Sequence, residues 1–583
     1  MQVAYLKKYI KKYYKLFLVA LCFLSFETAC DLLQPALMSK IVDVGIKTRN
    51  MDYVLKIGAM MLGLTVFGAM GAVVRNNISN RVSQSFGAEL RFDLFRKIQS
   101  LSYQEAERLE TPSLITRLTN DVTLIQNFTN STMRISVKAP LMCLGSIIMA
   151  FLLDRSMGLI LLAVVALVVI LIYLNTHVGF PLFRRVQKEI DRLNGMMREY
   201  LSGIRVIKAF HRFDYEEQRF AEENKTVADI QTKTMQVSSF FAPAIALTVN
   251  LGIIAVLWLG ARRIDLGTIE VGKIIAFTNY MTQIVTSLLI ISRVFNTFVR
   301  ARVSAERIGE VMTLKEKAEP WEQSSLSKED SVMLPARWGI SFANVSFSYK
   351  GDAQNSVLKQ INFECAPGMK MGVIGSTGAG KTTLINLIPR FYEPTKGKIS
   401  FSGLDSQTIP PKLLREKIGI VPQKVTLFTG TILENLRWGG ENADFEHIIE
   451  AAKAAQAHEF IMAFPEQYDT LLGQGGVNLS GGQKQRISIA RALVKKPSVL
   501  ILDDCTSAVD SITEEEIMRG ISEHCIDSLQ IIVTQRIAAV LKADWILVLD
   551  NGELCGQGTH GHLLKNCPVY QEIYLSQFGK EEG

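Results

Sequence analysis

The chain has 583 residues, is 48% hydrophobic and carries a formal net charge of +8. That length exceeds one domain, and that apolar share is too high for an ordinary soluble protein of this charge content. The apolar excess lies in roughly the first 300 residues, which excludes a purely soluble enzyme and places that half in a membrane.

In chain order, the first feature is basic: Lys7, Lys8, Lys11, Lys12 and Lys15, interleaved with Tyr5, Tyr9, Tyr13 and Tyr14. This segment, residues 1–15, reads as an interfacial amphipathic helix on the cytoplasmic leaflet. The plainer alternative is a solvated basic face. Nothing in it suggests nucleic-acid binding. No small-residue cleavage site follows the first apolar run, so no signal peptide is expected. The eight cysteines are scattered without C-x-x-C or histidine partners and read as reduced, buried thiols.

Six apolar stretches follow, at about 16–40, 53–75, 132–153, 157–178, 239–261 and 274–299, each long enough for a spanning helix. Lys and Arg crowd the long segments after the second and fourth stretches and the N-terminus, so the positive-inside rule puts both chain ends in the cytoplasm. Glu27, Asp31 and Gln34 share one face of the first stretch; Asn279, Gln283, Thr286 and Arg293 share one face of the sixth. One expectation is a polar substrate cavity whose two acids favour cationic amphiphiles. The other is structural, with Glu27 or Asp31 paired to Arg134, Lys138 or Arg293. Pro35, Pro140 and Pro243 lie where they could kink the helices.

A polar linker covers about 313–339. From Ile340 the pattern changes to short β-branched runs alternating with helices, an α/β nucleotide-binding domain. Met371-Gly372-Val373-Ile374 reads as a buried strand and Lys381–Tyr392 as the next helix. Between them Gly375-Ser376-Thr377-Gly378-Ala379-Gly380-Lys381-Thr382 matches G-x-x-x-x-G-K-S/T in full, with Thr383 next. Its glycines let backbone N–H groups curl round phosphates. Lys381 meets the terminal phosphates, and Thr382 ligates Mg²⁺. Downstream, Val499–Leu502 is an apolar strand ending in Asp503 and Asp504.

Together with Leu479-Ser480-Gly481-Gly482-Gln483 between them, these motifs resemble the ATP-binding cassette (ABC) ATPases. With the six spans, the chain resembles an ABC exporter half-transporter: a helical transmembrane domain over 16–312, a nucleotide-binding domain over 340–575 and a tail at 576–583. The resemblance implies that Tyr349 stacks on adenine and that Gln423 and Asp503 join Thr382 at Mg²⁺. An edge-strand tyrosine and an ordinary turn glutamine are the plainer readings. Ser480, Gly481, Gly482 and Gln483 would present a hydroxyl and N–H groups to ATP held by a second subunit, so a dimer is implied. Thr111–Asp121 looks like the first coupling-helix region and Gly203–Phe210 like the second.

Three positions depart from the family pattern. Asp504 stands where the catalytic Glu is usual, Gln535 where the switch histidine is usual, and Gln474 where a Glu often precedes the signature. Aspartate is one methylene shorter, so its carboxylate falls short of the attacking water. Glutamine can hydrogen-bond a phosphate but cannot carry imidazolium charge. This pattern resembles the degenerate-site subunit of the heterodimeric bacterial multidrug exporters, which binds ATP and lends its signature to the partner's site. The alternative is a homodimeric lipid, peptide or drug exporter with an altered catalytic acid. A soluble ABC ATPase is excluded by six spans. The coupling segments argue against a purely regulatory membrane subunit.

Overall fold

The computed structural model describes residues 4–314, 335, 337–349 and 356–579. Most of the expected linker at 313–339 therefore lies outside the described residues. The chain forms two compact units.

The first unit holds six long apolar helices: α1 (Leu6–Ile46), α2 (Met51–Gln99), α4 (Thr111–Leu153), α5 (Arg155–Ser202), α7 (Phe213–Asp265) and α8 (Val271–Thr313). They run 41 to 53 residues. At about 1.5 Å per residue that is about 60–80 Å, twice the ~30 Å of a bilayer's hydrocarbon core. Each expected span is thus the apolar part of a helix that continues past the membrane. Between α5 and α7 lies the short α6 (Ile204–Ala209). It falls inside the expected segment Gly203–Phe210, with Val206 and Phe210 exposed.

The N-terminal basic segment is not a separate helix. α1 runs unbroken through it, because no breaker stands between Lys15 and Leu16. Its cations are not simply solvated either: Lys8 pairs with Asp93 and Lys12 with Glu89. The Tyr9 and Tyr13 hydroxyls donate to the same two carboxylates.

The second unit contains two larger sheets. An antiparallel sheet has the order β2-β1-β4-β5, from β1 (Ile340–Phe347), β2 (Leu358–Cys365), β4 (Lys396–Phe401) and β5 (Leu404–Asp405). The central sheet has the order β12-β11-β3-β10-β9-β6. Its strands are β3 (Lys370–Gly375), β6 (Ile418–Val421), β9 (Val499–Asp503), β10 (Leu529–Val533), β11 (Trp545–Asp550) and β12 (Glu553–Gly558). A small ribbon pairs β7 (Gly430–Thr431) with β8 (Leu471–Leu472). All but the β11–β12 pair of the central sheet are parallel. Every residue of β9 and β10 is buried, as parallel strands covered on both faces require. This is why those segments read as unbroken apolar runs.

This unit also includes Ser100–Glu110, and here the expectation for the first coupling segment is corrected. Thr111–Asp121 opens the long helix α4 of the first unit. The separate helix is α3 (Tyr103–Arg108), started by a capping box in which Ser102 and Glu105 satisfy each other's backbone N–H groups. Tyr103 stacks on Phe391, Glu107 accepts a hydrogen bond from the Tyr392 hydroxyl, and Gln104 donates to the Tyr349 carbonyl at 3.2 Å.

Candidate nucleotide site and membrane cavity

The parallel order brings the C-terminal ends of β3, β9 and β10 side by side. A cavity of about 250 Å³ opens there, lined by Lys381, Thr382, Thr383, Gln423, Asp503, Asp504 and Gln535, with Thr377, Gly378 and Gly380 of the loop. Gly378 and Gly380 adopt φ of 85° and 98°, left-handed values that a side chain would resist. They turn the chain from β3 into α9 (Lys381–Leu387), which is shorter than expected and gives way to turns before Tyr392.

Lys381 Nζ donates to the carbonyls of Gly375 and Ser376, 2.8 Å each. Burial pulls its pKa down, with Asp503 and then Asp504 opposing. Asp503 is pushed up to about 6, first by burial and then by Asp504, while Lys381 acts the other way. A buried carboxylate held back from ionising, beside a loop rich in N–H groups and a lysine, fits a site that takes a phosphate chain with its cation.

Asp504 itself has φ of 45°, and its N–H is held by the Val533 carbonyl at 2.8 Å. Gln535 accepts a long 3.5 Å hydrogen bond from the Thr377 hydroxyl. One positioning residue escaped the sequence reading. Gln577, in α11 (Pro568–Phe578), donates to the Gln535 carbonyl at 2.6 Å and accepts from Ile537 N–H at 2.8 Å. The expected tail at 576–583 thus begins inside a helix that holds the Gln535 loop.

Tyr349 does not line the cavity, but its hydroxyl lies 3.0 Å from Thr383 Oγ1 and its ring meets Phe347 and Tyr392 edge-on. Gly375, Ser376 and Ala379 stand behind the lining; Ala379 is buried, and the other two serve Lys381 through their carbonyls.

The signature residues are not part of this cavity. Ser480 and Gly481 are exposed at the start of α10 (Gly481–Val494). Ser480 Oγ accepts from Gln483 N–H, and the Gln483 side chain accepts from Ser480 N–H, a second capping box. The Gln483 amide oxygen is thus used at the helix end. A Cβ on Gly482 would sit 2.9 Å from the Ala508 carbonyl oxygen, so glycine permits this close approach. Gln485 fastens the same loop, accepting from Ala508 N–H at 3.0 Å and donating to Ser507 at 3.1 Å.

In the first unit, α1, α2, α4 and α8 surround a cavity of about 790 Å³ whose lining includes Asp31, Gln34, Asn279, Gln283 and Arg293. Glu27 is corrected. It is buried outside the lining, 2.6 Å from Lys138 and 3.1 Å from Arg75. Lys138 also holds Asp31 at 2.9 Å. The structural account, pairing to Lys138, thus holds for both acids, although Asp31 also lines the cavity. The main buried partner of Glu27, Arg75, stands on α2 and is one residue the sequence reading missed. Gln34 donates to Met61 and Thr65 of α2, and Gln283 accepts from Ser146, so both also tie helices together.

Residues 17–288 match the family described as the ABC transporter transmembrane region, and residues 358–507 the family described as ABC transporter. The chain is 41% identical over 574 residues to the uncharacterized ABC transporter ATP-binding protein YfiB of Bacillus subtilis, covering 98% of each. It is 31% identical over 502 residues to an ATP-dependent lipid A-core flippase of Syntrophus aciditrophicus, covering 86% of this chain and 82% of that one. A solved bacterial Atm1-family ABC exporter with ATP bound shares the fold with a TM-score of 0.77 at 26% identity, covering 98% of this chain and 99% of that one. The chain belongs to the ABC transporter family. It is an exporter-type half-transporter, a multi-pass membrane protein that couples ATP hydrolysis to movement of a substrate across the membrane, in a class that works as dimers.

Proposed function

We propose that this chain is the degenerate-site subunit of a heterodimeric bacterial exporter of amphipathic, drug-like or lipid-like substrates, with both termini in the cytoplasm. The observation that carries this reading is the composition of one cavity. Lys381, Thr382 and Asp503 stand together there, the residues needed to hold ATP and Mg²⁺. Asp504 and Gln535 stand beside them, where hydrolysis would need a longer acid and a histidine. Bound Mg²⁺ would neutralise phosphate charge; Thr382, Asp503 and Gln423 would hold it, and Tyr349 would flank the adenine. Asp504 is a poor base here for two reasons: its reach is one methylene short, and its backbone is fixed by Val533 in a left-handed conformation.

The signature is intact, exposed and pre-shaped by its capping box. Selective loss of hydrolytic groups with a preserved signature favours a subunit that completes a partner's competent site. The test is ATP turnover by the purified chain alone and in complex with the half-transporter that co-purifies with it. Turnover in the complex should exceed that of the chain alone by orders of magnitude. A chain that purifies without a second subunit and is fully activated by Asp504→Glu would support the homodimeric alternative and end this one.

A further inference from the structure

The charges around the membrane cavity do not cancel. Glu27 and Asp31 are matched by Arg75 and Lys138, two acids against two bases in one contiguous cluster. Arg134 and Arg293 remain, both in the cavity wall, and among the described residues no carboxylate lies within ion-pair distance of either. Arg134 Nε is buried with no hydrogen-bond acceptor. It stands on a π-helical turn, Thr132–Ser136, a widened geometry that recurs at functional sites. Arg293 is exposed on the sixth long helix. The same wall carries the apolar side chains of Met38, Ile135, Met142 and Ile290 among uncharged polar ones such as Asn279 and Thr286.

A guanidinium at membrane depth is costly until an anion or water meets it. Its planar fork suits the oxygens of a phosphate or carboxylate. Low-dielectric walls strengthen that attraction over its value in bulk water. The two acids that could have drawn a cation are already satisfied by Arg75 and Lys138.

We propose that this cavity selects amphiphiles with an anionic head group, phosphate or carboxylate, received by Arg134 and Arg293, with the tail along the methionine- and isoleucine-lined wall. This reverses the cation preference expected from Glu27 and Asp31, and it rests on the exporter reading.

The test uses the full chain, with its partner where the purified complex contains one, in phosphatidylcholine nanodiscs. Dodecyl phosphate, dodecyltrimethylammonium and inorganic phosphate are compared by thermal shift without nucleotide and by stimulation of ATP turnover. Dodecyl phosphate should half-saturate the thermal shift at about tenfold lower concentration than the ammonium amphiphile, and added salt should narrow the gap. Arg134→Gln and Arg293→Gln should each erase the preference, while Arg293→Lys keeps part of it. If Arg134→Gln does not fold, the exposed Arg293 decides alone. Equal half-saturation for both amphiphiles overturns the proposal, as does an unchanged preference in Arg293→Gln. Inorganic phosphate acting as well as dodecyl phosphate also overturns it, because the site would then be one for a free anion. Failure of the exporter reading looks different: the preference in thermal shift survives, but no probe changes ATP turnover.

Discussion

Asp503 is the residue at which binding and stability conflict. Its carboxyl is pushed up to about 6, so the folded protein binds this proton more tightly than the unfolded chain does. Stability from this group is therefore present at low pH and is lost as pH rises from about 4 through about 6. Asp503→Asn should raise the melting temperature of the nucleotide-free protein at pH 7.5 by about 2–4 °C, and by less at pH 5. It should also abolish the stabilisation that Mg-ATP gives the parent. Scanning fluorimetry at the two pH values, with and without Mg-ATP, reads both effects. A gain as large at pH 5 as at pH 7.5 would mean that ionisation is not its cause. Glu27 is the opposite case, a buried acid that compensates two cations. Glu27→Ala leaves the buried Arg75 without its carboxylate and should cost about 3–5 kcal/mol. Asp31 is about half exposed and its loss leaves Lys138 still paired to Glu27, so Asp31→Asn should cost much less. Thermal unfolding of the two variants side by side checks the ranking, and equal losses would refute it.

At the scale of elements, α3 illustrates how a short helix is made and used. Six residues cannot hold a helix by propensity alone, so the Ser102–Glu105 capping box and the stacking of Tyr103 on Phe391 carry it. The same helix reaches the Tyr349 carbonyl, and the Tyr349 hydroxyl reaches Thr383 beside the phosphate loop. Ser102→Ala should weaken this helix by about 1 kcal/mol, speeding amide exchange over 103–108 about fivefold and leaving β9 and β10 protected. No change in exchange would show that packing alone holds it. The sequence contained this signal, since Ser102-x-x-Glu105 is a capping box, whereas the expectation for Thr111–Asp121 rests on family resemblance alone. The strand ends were easier to read. Parallel strands buried on both faces leave long apolar runs, and the residue that breaks each run, such as Asp503, stands at the site. Helical periodicity is weaker evidence. It grouped Glu27, Asp31 and Gln34 on one face, but it could not reveal Arg75 opposite them, because that contact depends on how α1 packs against α2. Gln577 was invisible for the same reason: its two hydrogen bonds span about 40 residues of chain.

For the whole molecule, the signature and the nucleotide cavity are separate pieces of one chain: no signature residue lines the cavity. Ser480 Oγ accepts from Gln483 N–H, which leaves the hydroxyl proton free to be donated outward. Gly482 lies against the Ala508 carbonyl, and Gln485 fastens Ser507 and Ala508, so the signature and the segment after Asp504 form one firm surface. A preorganised donor aimed at a transition state loses about 10²–10³ in rate when removed. In the proposed heterodimer this donor would act on ATP in the partner's competent site, whereas Asp504 would face ATP at a slow one. Ser480→Ala should therefore depress turnover of the purified complex by about 10²-fold, and Asp504→Ala should change it only slightly. The helix cap lost with Ser480 costs about 1 kcal/mol locally and can be separated by showing that the complex stays assembled and thermally stable. Steady-state ATP turnover of the two variants gives the ranking. If Asp504→Ala proves the more damaging, the competent site belongs to this chain, and the short acid works as a base despite its reach.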